Sequence, residues 1–457
     1  MTPRLYADAG TRATRDLSVS ILQGRVVGGG TTVNWLITLR TPEWVLDEWA
    51  RDHGAEGMRP GEMAPVFDLV EREVHARTVP DDAHSPSNRA LLDGARRLGW
   101  RAGAVKINTR GCVRAGTCGL GCRHGARQGA AEVYVPRALR AGARLYTDVR
   151  VERVEVVERD GASRGGAPRK RVRATVLDRA SGRAVGRLTV EAPIIVLAAG
   201  AVGTPAILLR SGLGGPAVGR YLRLHPTSAV VGEYDREMYG AAGIPLSAMC
   251  DEFVRGERGY GFWIECPPLY PALASSVVPG FGARHRAVME RFPRLAPMIV
   301  LIRDGADVTA SNGSVRVDRR GRPVIRYRLG DADRRTLIAG IKATARLHLA
   351  AGAREAITLH ARECRVRSET ELALIERQSY GPNRLALLSA HVNGTCRFGT
   401  DARASTCTPD GRVRGAAGIY VADGSLLPTA LGVNPQETIM AVATVIARRI
   451  AEDHSTG

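Results

Sequence analysis

The amino-acid sequence predicts an α/β domain that is interrupted by an inserted domain of the α+β class. Residues 191–213, EAPIIVLAAGAVGTPAILLRSGL, contain a continuous apolar strand, a glycine-containing turn and a helix, which is one crossover of a parallel sheet. The residues that follow change character, because segments such as SVRVDRRGRPVIRYRLGD are typical of a mostly antiparallel sheet. The C-terminal segment GIYVADGSLLPTALGVNPQETIMAVATVIARRIAED then returns to a strand, a loop and an apolar helix.

These changes in pattern predict the domain boundaries. Residues 1–213 form the first part of the α/β domain, residues 214–385 form the inserted domain, and residues 386–457 form the returning part of the α/β domain. A chain of 457 residues is long enough to give each of the two domains a core of its own.

Before the crossover, the sequence predicts three helices, a loop and a β-meander. The first helix begins at Thr41-Pro42, which supply an N-cap and a proline at the first helical position. Apolar periodicity in MAPVFDLVEREVH and NRALLDGARRLGW indicates two more helices. A cysteine- and glycine-rich loop occupies residues 111–129, and the meander that follows it contains a surface loop, GASRGGAPRK. In the inserted domain, Asp331 or Asp333 is expected to cap a long helix.

The formal net charge of +19 raises the question of a nucleic-acid or membrane partner. The arginines are spread along the whole chain and mixed with acidic residues, and aromatic residues make up only 5% of the sequence. A solvated, arginine-rich surface therefore explains the charge better than a nucleic-acid site. The longest apolar stretch is broken by glycine and proline, so we expect no membrane span. The first residues contain no export signal, which predicts a cytoplasmic protein.

Two segments near the C-terminus carry candidate chemistry. Asn434-Pro435-Gln436-Glu437 has the pattern of a helix start, and a glycine-containing loop precedes it. The N-terminus of a helix has free N–H groups and a partial positive charge, which suit an anionic ring or a phosphate. His391 begins the segment HVNGTCRFG, and taken alone it is only weak evidence for a functional histidine, because a structural loop histidine explains it too. Local sequence alone does not assign either segment to a reaction.

Four segments, taken together and in order, resemble the glucose–methanol–choline (GMC) family of FAD-dependent oxidoreductases. They are GRVVGGGTTVNW at residues 24–35, the crossover at 191–213, HVNGTCRFGT at 391–400 and the final strand, loop and helix that begin at residue 418. Two further stretches, GCVRAGTCGLGCRHGARQGAAEVYVPRAL and GRYLRLHPTSAVVG, are most similar to the long-chain fatty alcohol oxidase branch of that family. The resemblance covers the chain from about residue 20 onward.

The resemblance implies that the protein oxidises an alcohol by hydride transfer to FAD. In this family, a histidine at the position of His391 acts as a general base toward the substrate hydroxyl and stabilises the developing alkoxide. Asn434 matches a second active-site position, whose side chain hydrogen-bonds the substrate oxygen, and this role competes with capping the last helix. The branch implies a long aliphatic alcohol in an apolar pocket, and it leaves open whether oxygen or a quinone accepts the electrons.

The resemblance also implies a set of cofactor-binding residues. The glycine loop lines the flavin, a strand backbone meets the adenine, the loop after the last strand lies near the ribityl chain and the pyrophosphate, and the start of the last helix faces the pyrimidine end of the flavin. Glycine in such a loop lets the backbone approach the cofactor closely. Gly28, Gly29 and Asn34 would line the flavin, and the backbone of Val151 would meet the adenine. Asp423 and Gly424 would lie near the ribityl chain and the pyrophosphate, and Pro435 stands at the start of the last helix.

One part of the family pattern is missing from this sequence. The family begins with a strand and a helix that carry G-x-G-x-x-G, but GLGCRHG does not follow a strand and GLGGPAVG follows a helix. We therefore expect a chain shortened at its N-terminus, with an N-terminally incomplete Rossmann-like FAD-binding domain. Two hypotheses follow: an alcohol oxidase or dehydrogenase of which this chain is a part, or a non-catalytic remnant or subunit that needs a separate N-terminal FAD-binding chain.

Two further features have a structural and a functional explanation. Cys112, Cys118 and Cys122 have the spacing C-x5-C-x3-C, with His124 as a strained fourth ligand, but metal sites normally show four convergent ligands. The similarity to the alcohol oxidase branch explains this loop without a metal, so none is expected. His225, in RLHPT, is expected to pack in the inserted domain, the alternative being a role in the substrate channel.

Overall fold

The structure is a computed structural model that describes residues 2–157, 169–239, 243–256, 258–306 and 312–455. The predicted surface loop GASRGGAPRK lies outside the described residues except for its last two positions.

The described ranges contain helices that alternate with strands along most of the chain. The α-helices are α1 (Thr2–Leu5), α2 (Gly30–Val33), α3 (Glu43–His53), α4 (Pro60–Glu73), α5 (Pro86–Leu98), α6 (Tyr134–Arg140), α7 (Gly200–Ser211), α8 (Pro271–Val277), α9 (Gly282–Glu290), α10 (Asp331–Ala350), α11 (Ala373–Glu376) and α12 (Gln436–Ser455). No helix in these ranges is both long enough and apolar enough to cross a membrane.

The strands are short at the two ends of the chain and longer in its middle. They are β1 (Val19–Ile21), β2 (Ala76–Thr78), β3 (Ala102–Ala104), β4 (Lys106–Asn108), β5 (Val149–Val157), β6 (Arg169–Leu177), β7 (Ala184–Ala192), β8 (Ile195–Leu197), β9 (Thr227–Glu233), β10 (Ala248–Cys250), β11 (Phe262–Glu265), β12 (Leu295–Ile302), β13 (Gly313–Val317), β14 (Pro323–Tyr327), β15 (Glu355–Thr358), β16 (Cys364–Val366), β17 (Leu387–Ser389) and β18 (Ile419–Val421).

A nine-stranded sheet dominates the fold. Its main order is β1-β17-β9-β12-β11-β10-β3, and β15 also pairs with β9 and carries β16. All of its pairs are antiparallel except β1 with β17, which confirms the predicted mostly antiparallel sheet. Three of its strands, β1, β3 and β17, come from outside the predicted inserted domain, while β13 and β14 form a separate hairpin. The predicted domain boundaries therefore remain a prediction.

One core lies between this sheet and two helices, α5 and α10. Every residue of β12 is buried, as expected for the continuous apolar run in its sequence. Gly340 allows α10 to approach the sheet closely, because a Cβ atom at this position would meet the side chains of Val300 and Phe262.

A second core joins the N-terminal helices α3 and α4 to the C-terminal helix α12 and to a small parallel sheet. In that sheet, β8 pairs with β18, which confirms the predicted crossover of strand, turn and helix at β8 and α7. β5, β6 and β7 form the predicted three-stranded meander. The two cores thus give an α/β part, which contains the C-terminal helix α12, and a larger α+β part, whose sheet includes β1 from near the N-terminus.

Two predicted helix caps are wrong. The N-cap of α3 is Pro42, and the Thr41 hydroxyl instead lies 2.8 Å from the hydroxyl of Thr438, where it links α3 to α12. The N-cap of α10 is Gly330. Asp333 turns away to accept hydrogen bonds from the Gly305 amide at 3.2 Å and from other donors of the same loop. In both cases the side chain that local sequence predicts as the cap forms a hydrogen bond with a residue elsewhere in the fold instead.

Candidate active site

His391 lies two residues after β17 and is only partly exposed to solvent. Its Nδ1 atom is 3.2 Å from His225 Nδ1, and its Nε2 atom is 3.5 Å from Asn434 Nδ2. Burial lowers the pKa of His391 to about 4, so the imidazole is neutral at neutral pH. The structure therefore brings the two predicted catalytic residues together, although they are distant in the sequence.

Asn434 lies two positions before the first residue of α12, Gln436, and the sequence left two roles open for it. Its Oδ1 atom is buried and has no hydrogen-bond partner within the described part of the chain. Asn434 therefore does not cap α12, and its amide faces the imidazole of His391 instead. The first N–H groups of a helix have no intrahelical partner, so the start of α12 keeps donors that this side chain does not satisfy.

His225 lies at the same site, not merely in the packing of the inserted domain. Its ring is fully buried and meets the rings of Trp263 and His391 edge-on, with centroids 5.1 and 5.3 Å away. Its backbone has a φ of 43°, which is uncommon for a residue other than glycine, and its N–H group donates to Asp304 Oδ1 at 3.0 Å. The carboxylate of Asp304 thus holds the turn that directs the imidazole toward His391.

Glu265 is a buried acid beside this cluster that sequence reasoning missed. It ends β11, and its Oε1 atom accepts a hydrogen bond from Trp263 Nε1 at 2.8 Å. Burial raises the pKa of Glu265 to about 7, although the Trp263 and Asn434 side chains act in the opposite direction. Its other oxygen, Oε2, has no hydrogen-bond partner among the described residues. An acid inside the apolar segment YGFWIEC was the available signal, because a strand that is buried on both faces rarely carries a charge.

The loop before α12 is fixed by a buried arginine. Arg303 donates from Nε to the Ala430 carbonyl at 2.7 Å and from Nη2 to Glu48 Oε2 at 2.8 Å. Its guanidinium group also lies over the rings of Trp44 and Tyr260, at 4.7 and 4.4 Å from their centroids. These contacts hold in place the backbone that leads to Asn434.

The predicted flavin-side loop meets the start of α12. Asn34 Nδ2 donates to Gln436 Oε1 at 2.6 Å, which joins the loop to the first residue of the helix. Gly28 and Gly29 both have positive φ values, 85° and 58°. A Cβ atom on Gly28 would collide with Ala131, whereas a Cβ atom on Gly29 would meet no described heavy atom within 4 Å. Of these two glycines, Gly29 therefore has the open face.

Arg127 anchors this loop to the cysteine-rich loop and was not predicted. Its side chain is 1% exposed and donates to the carbonyl oxygens of Thr31, Asn34 and Cys118, each at 2.7 Å. Among the described residues, no group of three or more His, Cys, Asp or Glu side chains is arranged to hold a metal ion. Burial raises the pKa of Cys118 to about 11, so its thiol is neutral at neutral pH.

Asp423 and Gly424 tie the loop after β18 to two other segments. Asp423 Oδ2 accepts hydrogen bonds from the Gly200 amide at 2.8 Å and from the Thr204 hydroxyl at 2.5 Å. The carboxylate therefore occupies the N-terminus of α7, and burial raises its pKa. The Gly424 carbonyl accepts from the Gly394 amide at 3.2 Å, which connects this loop to the segment that carries His391.

Val151 and Pro435 complete the predicted set. The Val151 carbonyl lies on β5 and accepts a hydrogen bond from Arg210 Nη2 at 3.3 Å. Pro435 is buried, and its carbonyl accepts the Ile439 amide at 2.9 Å, one of the first backbone bonds of α12. The Val151 carbonyl is thus engaged by α7, whereas Pro435 follows Asn434, whose side chain faces His391.

Comparison with known proteins identifies the family. The N-terminal part of the GMC oxidoreductase family matches residues 2–227, and the C-terminal part matches residues 309–443. The chain belongs to the GMC oxidoreductase family. Its predicted resemblance is thereby confirmed.

Several relatives align along nearly the whole chain. An uncharacterised GMC-type oxidoreductase of Mycobacterium tuberculosis is 34% identical over 445 residues, which are 97% of this chain and 67% of that protein. The long-chain-alcohol oxidases FAO4B and FAO3 of Arabidopsis thaliana are each 30% identical, over 98% and 99% of this chain. The chain spans 61% and 62% of the length of these two plant proteins.

Solved structures share the fold. Pyridoxine 4-oxidase from Mesorbium loti superimposes with a TM-score of 0.68 at 19% identity, covering 95% of this chain and 85% of that protein. A formate oxidase variant of Aspergillus oryzae gives a TM-score of 0.69 at 15% identity, with the same coverage of 95% and 85%. The mixed α/β fold of this chain therefore has solved counterparts.

Proposed function

We propose that this GMC-type oxidoreductase oxidises the CH–OH group of an alcohol, with His391 and Asn434 at the reacting oxygen. The observation that supports this most directly is the approach of His391 Nε2 to Asn434 Nδ2, 3.5 Å apart, at the buried start of α12. A proton acceptor and an amide donor around one point are what the oxygen of a substrate hydroxyl requires.

Each of the two side chains has a separate part in this proposal. The low pKa of His391, about 4, keeps the imidazole neutral at neutral pH, so it can accept the hydroxyl proton as a general base. Once protonated, the imidazolium stabilises the negative charge that develops on the substrate oxygen, and the Asn434 amide donates a hydrogen bond to the same oxygen.

FAD is the cofactor, and when bound it supplies the hydride acceptor. Two features of the chain fit it: the open face of Gly29, and the buried start of α12, whose donors Asn434 does not satisfy. A helix N-terminus suits the negative charge of a reduced flavin. The residues that we propose to hold the cofactor are Gly28, Gly29, Asn34, Val151, Asp423, Gly424 and Pro435.

We propose a long-chain aliphatic alcohol as the substrate, since the two plant relatives are named long-chain-alcohol oxidases. Oxygen and a quinone both remain candidates for the electron acceptor. The cytoplasmic location predicted from the sequence remains a proposal. It is supported by the eight cysteines of the chain, which are all described and all unpaired, as is usual in a reducing compartment.

The test begins with the visible absorption spectrum of the chain, purified after expression with excess FAD. A retained flavin spectrum is expected, together with its bleaching by a long-chain alcohol under anaerobic conditions. His391→Ala should retain the flavin but lose bleaching by at least about 100-fold, the usual contribution of a general base. His124→Ala, in the exposed part of the cysteine-rich loop, is the control. Equal bleaching by the two variants would contradict the assignment of His391.

A second candidate function is that of a subunit that binds FAD only together with a separate N-terminal FAD-binding chain. The observation that favours it is the parallel sheet of β8 and β18, which has only these two strands among the described residues. The middle residue of β8, Val196, is 46% exposed. A colourless protein in the spectroscopic test, which gains flavin when a partner chain is co-expressed, would support this candidate over the first.

A further inference from the structure

The two ring nitrogens of His225 have different partners, which fixes the position of its proton. Nε2 lies 3.0 Å from the backbone amide of Leu431 and 3.4 Å from that of Gly432, and both groups are donors. A nitrogen that accepts these hydrogen bonds is unprotonated, so a neutral His225 carries its proton on Nδ1.

The surroundings of His225 keep it neutral. Its ring is fully buried, and burial together with the charge of Arg303 and the neighbouring His391 lowers its pKa well below the usual value. The charge of Arg303 thus acts in the same direction as burial, and Trp263 covers one side of the ring. The carboxylate of Asp304 is engaged by the backbone amides of Leu224 and His225, not by the imidazole.

The proton on His225 then determines the tautomer of His391. His225 Nδ1–H points at His391 Nδ1, 3.2 Å away, so the latter nitrogen must be the acceptor. A neutral imidazole with an unprotonated Nδ1 carries its proton on Nε2. Nε2 is the atom that faces Asn434.

We infer that His225 is a positioning residue that holds His391 in the tautomer with its proton on Nε2. This inference rests on the proposed function, and it adds His225 to the residues of the proposed active site. His391 Nε2–H and Asn434 Nδ2–H are then two donors 3.5 Å apart that have no acceptor between them. Two donors cannot bond to each other, so a substrate oxygen placed between them accepts from both.

The site without substrate therefore presents two donors, which suit an oxygen with negative charge. The tautomer of His391 that can accept a proton at Nε2 is then the less populated of the two. In that form the proton lies on Nδ1, the unprotonated Nε2 takes the hydroxyl proton, and the ring becomes an imidazolium. Its formation requires either that His391 turns away from His225 or that His225 loses the hydrogen bonds from Leu431 and Gly432. His225 therefore determines whether His391 acts as a general base or as a hydrogen-bond donor to the substrate oxygen.

Nitrogen NMR of the histidine side chains tests this directly. In protein labelled with ¹⁵N-histidine and purified with its cofactor, long-range ¹H–¹⁵N correlations distinguish protonated from unprotonated ring nitrogens. We expect Nε2 of His391 and Nδ1 of His225 to be protonated. His348 is an internal reference, because its Nε2 faces the Val230 carbonyl at 3.1 Å and must carry a proton.

Two variants separate a tautomer effect from a merely structural one. His225→Gln keeps a donor and an acceptor in the same arrangement, so His391 should remain protonated on Nε2. His225→Leu removes both, and the Nε2-protonated fraction of His391 should fall while His348 is unchanged. A wild-type His391 protonated on Nδ1, or an unchanged His391 in a folded His225→Leu protein, would overturn the inference. If His225→Leu does not fold, the wild-type and His225→Gln spectra decide.

The NMR spectra test the role of His225, and the turnover assay tests the proposed function, so either can be contradicted without the other. A protein that oxidises no alcohol but shows the expected tautomers would remove the proposed function and leave the role of His225 intact. A protein that oxidises alcohols while His391 is protonated on Nδ1 would support the proposed function and contradict the role of His225.

Discussion

Burial of a single carboxyl group, that of Glu265, makes the stability of the protein depend on pH. Its pKa is about 7 in the folded chain, compared with 4.5 for an exposed glutamate. Because the folded state binds this proton more tightly than the unfolded state, the stabilisation by the neutral acid is complete below about pH 4.5 and is lost as the pH rises through about 7. The difference corresponds to roughly 3 kcal/mol.

We therefore expect Glu265→Gln, which keeps an acceptor for Trp263, to gain stability over the wild type as the pH rises from 5 to 8, by up to roughly 3 kcal/mol. Urea unfolding at a series of pH values measures this difference. Glu290→Gln is the control, because the Glu290 side chain is exposed and pairs with Arg286. A difference between Glu265→Gln and the wild type that does not change with pH would contradict a buried, neutral acid.

The residues of the candidate site were predictable only where a sequence pattern names them. His391 and Asn434 lie in recognisable segments, and the structure brings them together as the resemblance implied. His225, Glu265 and Arg127 act through partners that are distant in the sequence, such as the contact between His225 and Leu431, 206 positions apart. Local sequence carries no record of such contacts. The sequence named His225 only as a packing residue with a channel role as the alternative, it offered for Glu265 only an acid in an apolar segment, and it gave no signal for Arg127.

At the scale of single elements, the packing of α10 on the large sheet gives a sharp prediction. Gly340 lies in the middle of this helix, where alanine would normally favour the helix by about 1 kcal/mol. Its missing Cβ atom leaves room for Val300 and Phe262, so Gly340→Ala should instead destabilise the protein by about 1–3 kcal/mol.

The matched control is Gly61→Ala in α4, because a Cβ atom there would meet no described heavy atom within 4 Å. This variant should be neutral or more stable by up to about 1 kcal/mol. Urea midpoints of both variants decide, and the same sign for the two changes would contradict the close approach of α10 to the sheet.

Arg127 links two loops, and its removal should loosen both. In Arg127→Met, the carbonyl oxygens of Thr31, Asn34 and Cys118 lose their donor inside the protein. Each buried carbonyl left unsatisfied costs about 1–3 kcal/mol, so we expect a loss of at least about 2 kcal/mol in the free energy of unfolding. Arg123→Met, at an exposed position of the same loop, is the control in the same urea experiment. A loss no larger than that of the control would mean that water replaces the guanidinium group.

Elements were predictable from the sequence to the extent that periodicity determines them. The meander β5–β6–β7, the crossover at β8 and the helices α4, α5 and α10 follow apolar patterns and are confirmed. The caps of α3 and α10 were wrong, because the Thr41 hydroxyl and the Asp333 carboxylate find tertiary partners. A capping bond is worth about 1 kcal/mol, so a single buried partner is enough to displace it.

At the scale of the whole molecule, the extent of the large sheet could not be predicted. β1, β3 and β17 are only three residues long, which is too short for an alternating pattern to mark them as part of a sheet. They join through pairing with strands far away in the chain, such as β1 with β17 and β3 with β10. Non-local pairing of this kind is specified by the whole fold rather than by the segment.

Among the described residues, one edge of β8 has no paired strand, and this has a consequence for the molecule as a whole. Val196 is 46% exposed, and Val185 and Val190 on β7 are 65% and 43% exposed. The Lys170 ammonium group donates to the Pro193 carbonyl at 2.8 Å, which links the meander to the chain just before β8. A two-stranded sheet with an open apolar edge is a template for pairing with another strand.

We therefore expect the purified chain to self-associate as its concentration rises, through the edge of β8. Val196→Lys should reduce this association, because a charged side chain on an edge strand opposes the addition of another strand. Sedimentation velocity of the wild type and the variant measures the effect. Leu273→Lys is the control, since Leu273 on α8 is similarly exposed, at 40%, but lies on a helix with no strand edge. If Leu273→Lys lowers association as much as Val196→Lys does, general surface hydrophobicity drives it rather than the edge of β8. If only Val196→Lys lowers it, the edge of β8 is the surface through which copies of the chain associate.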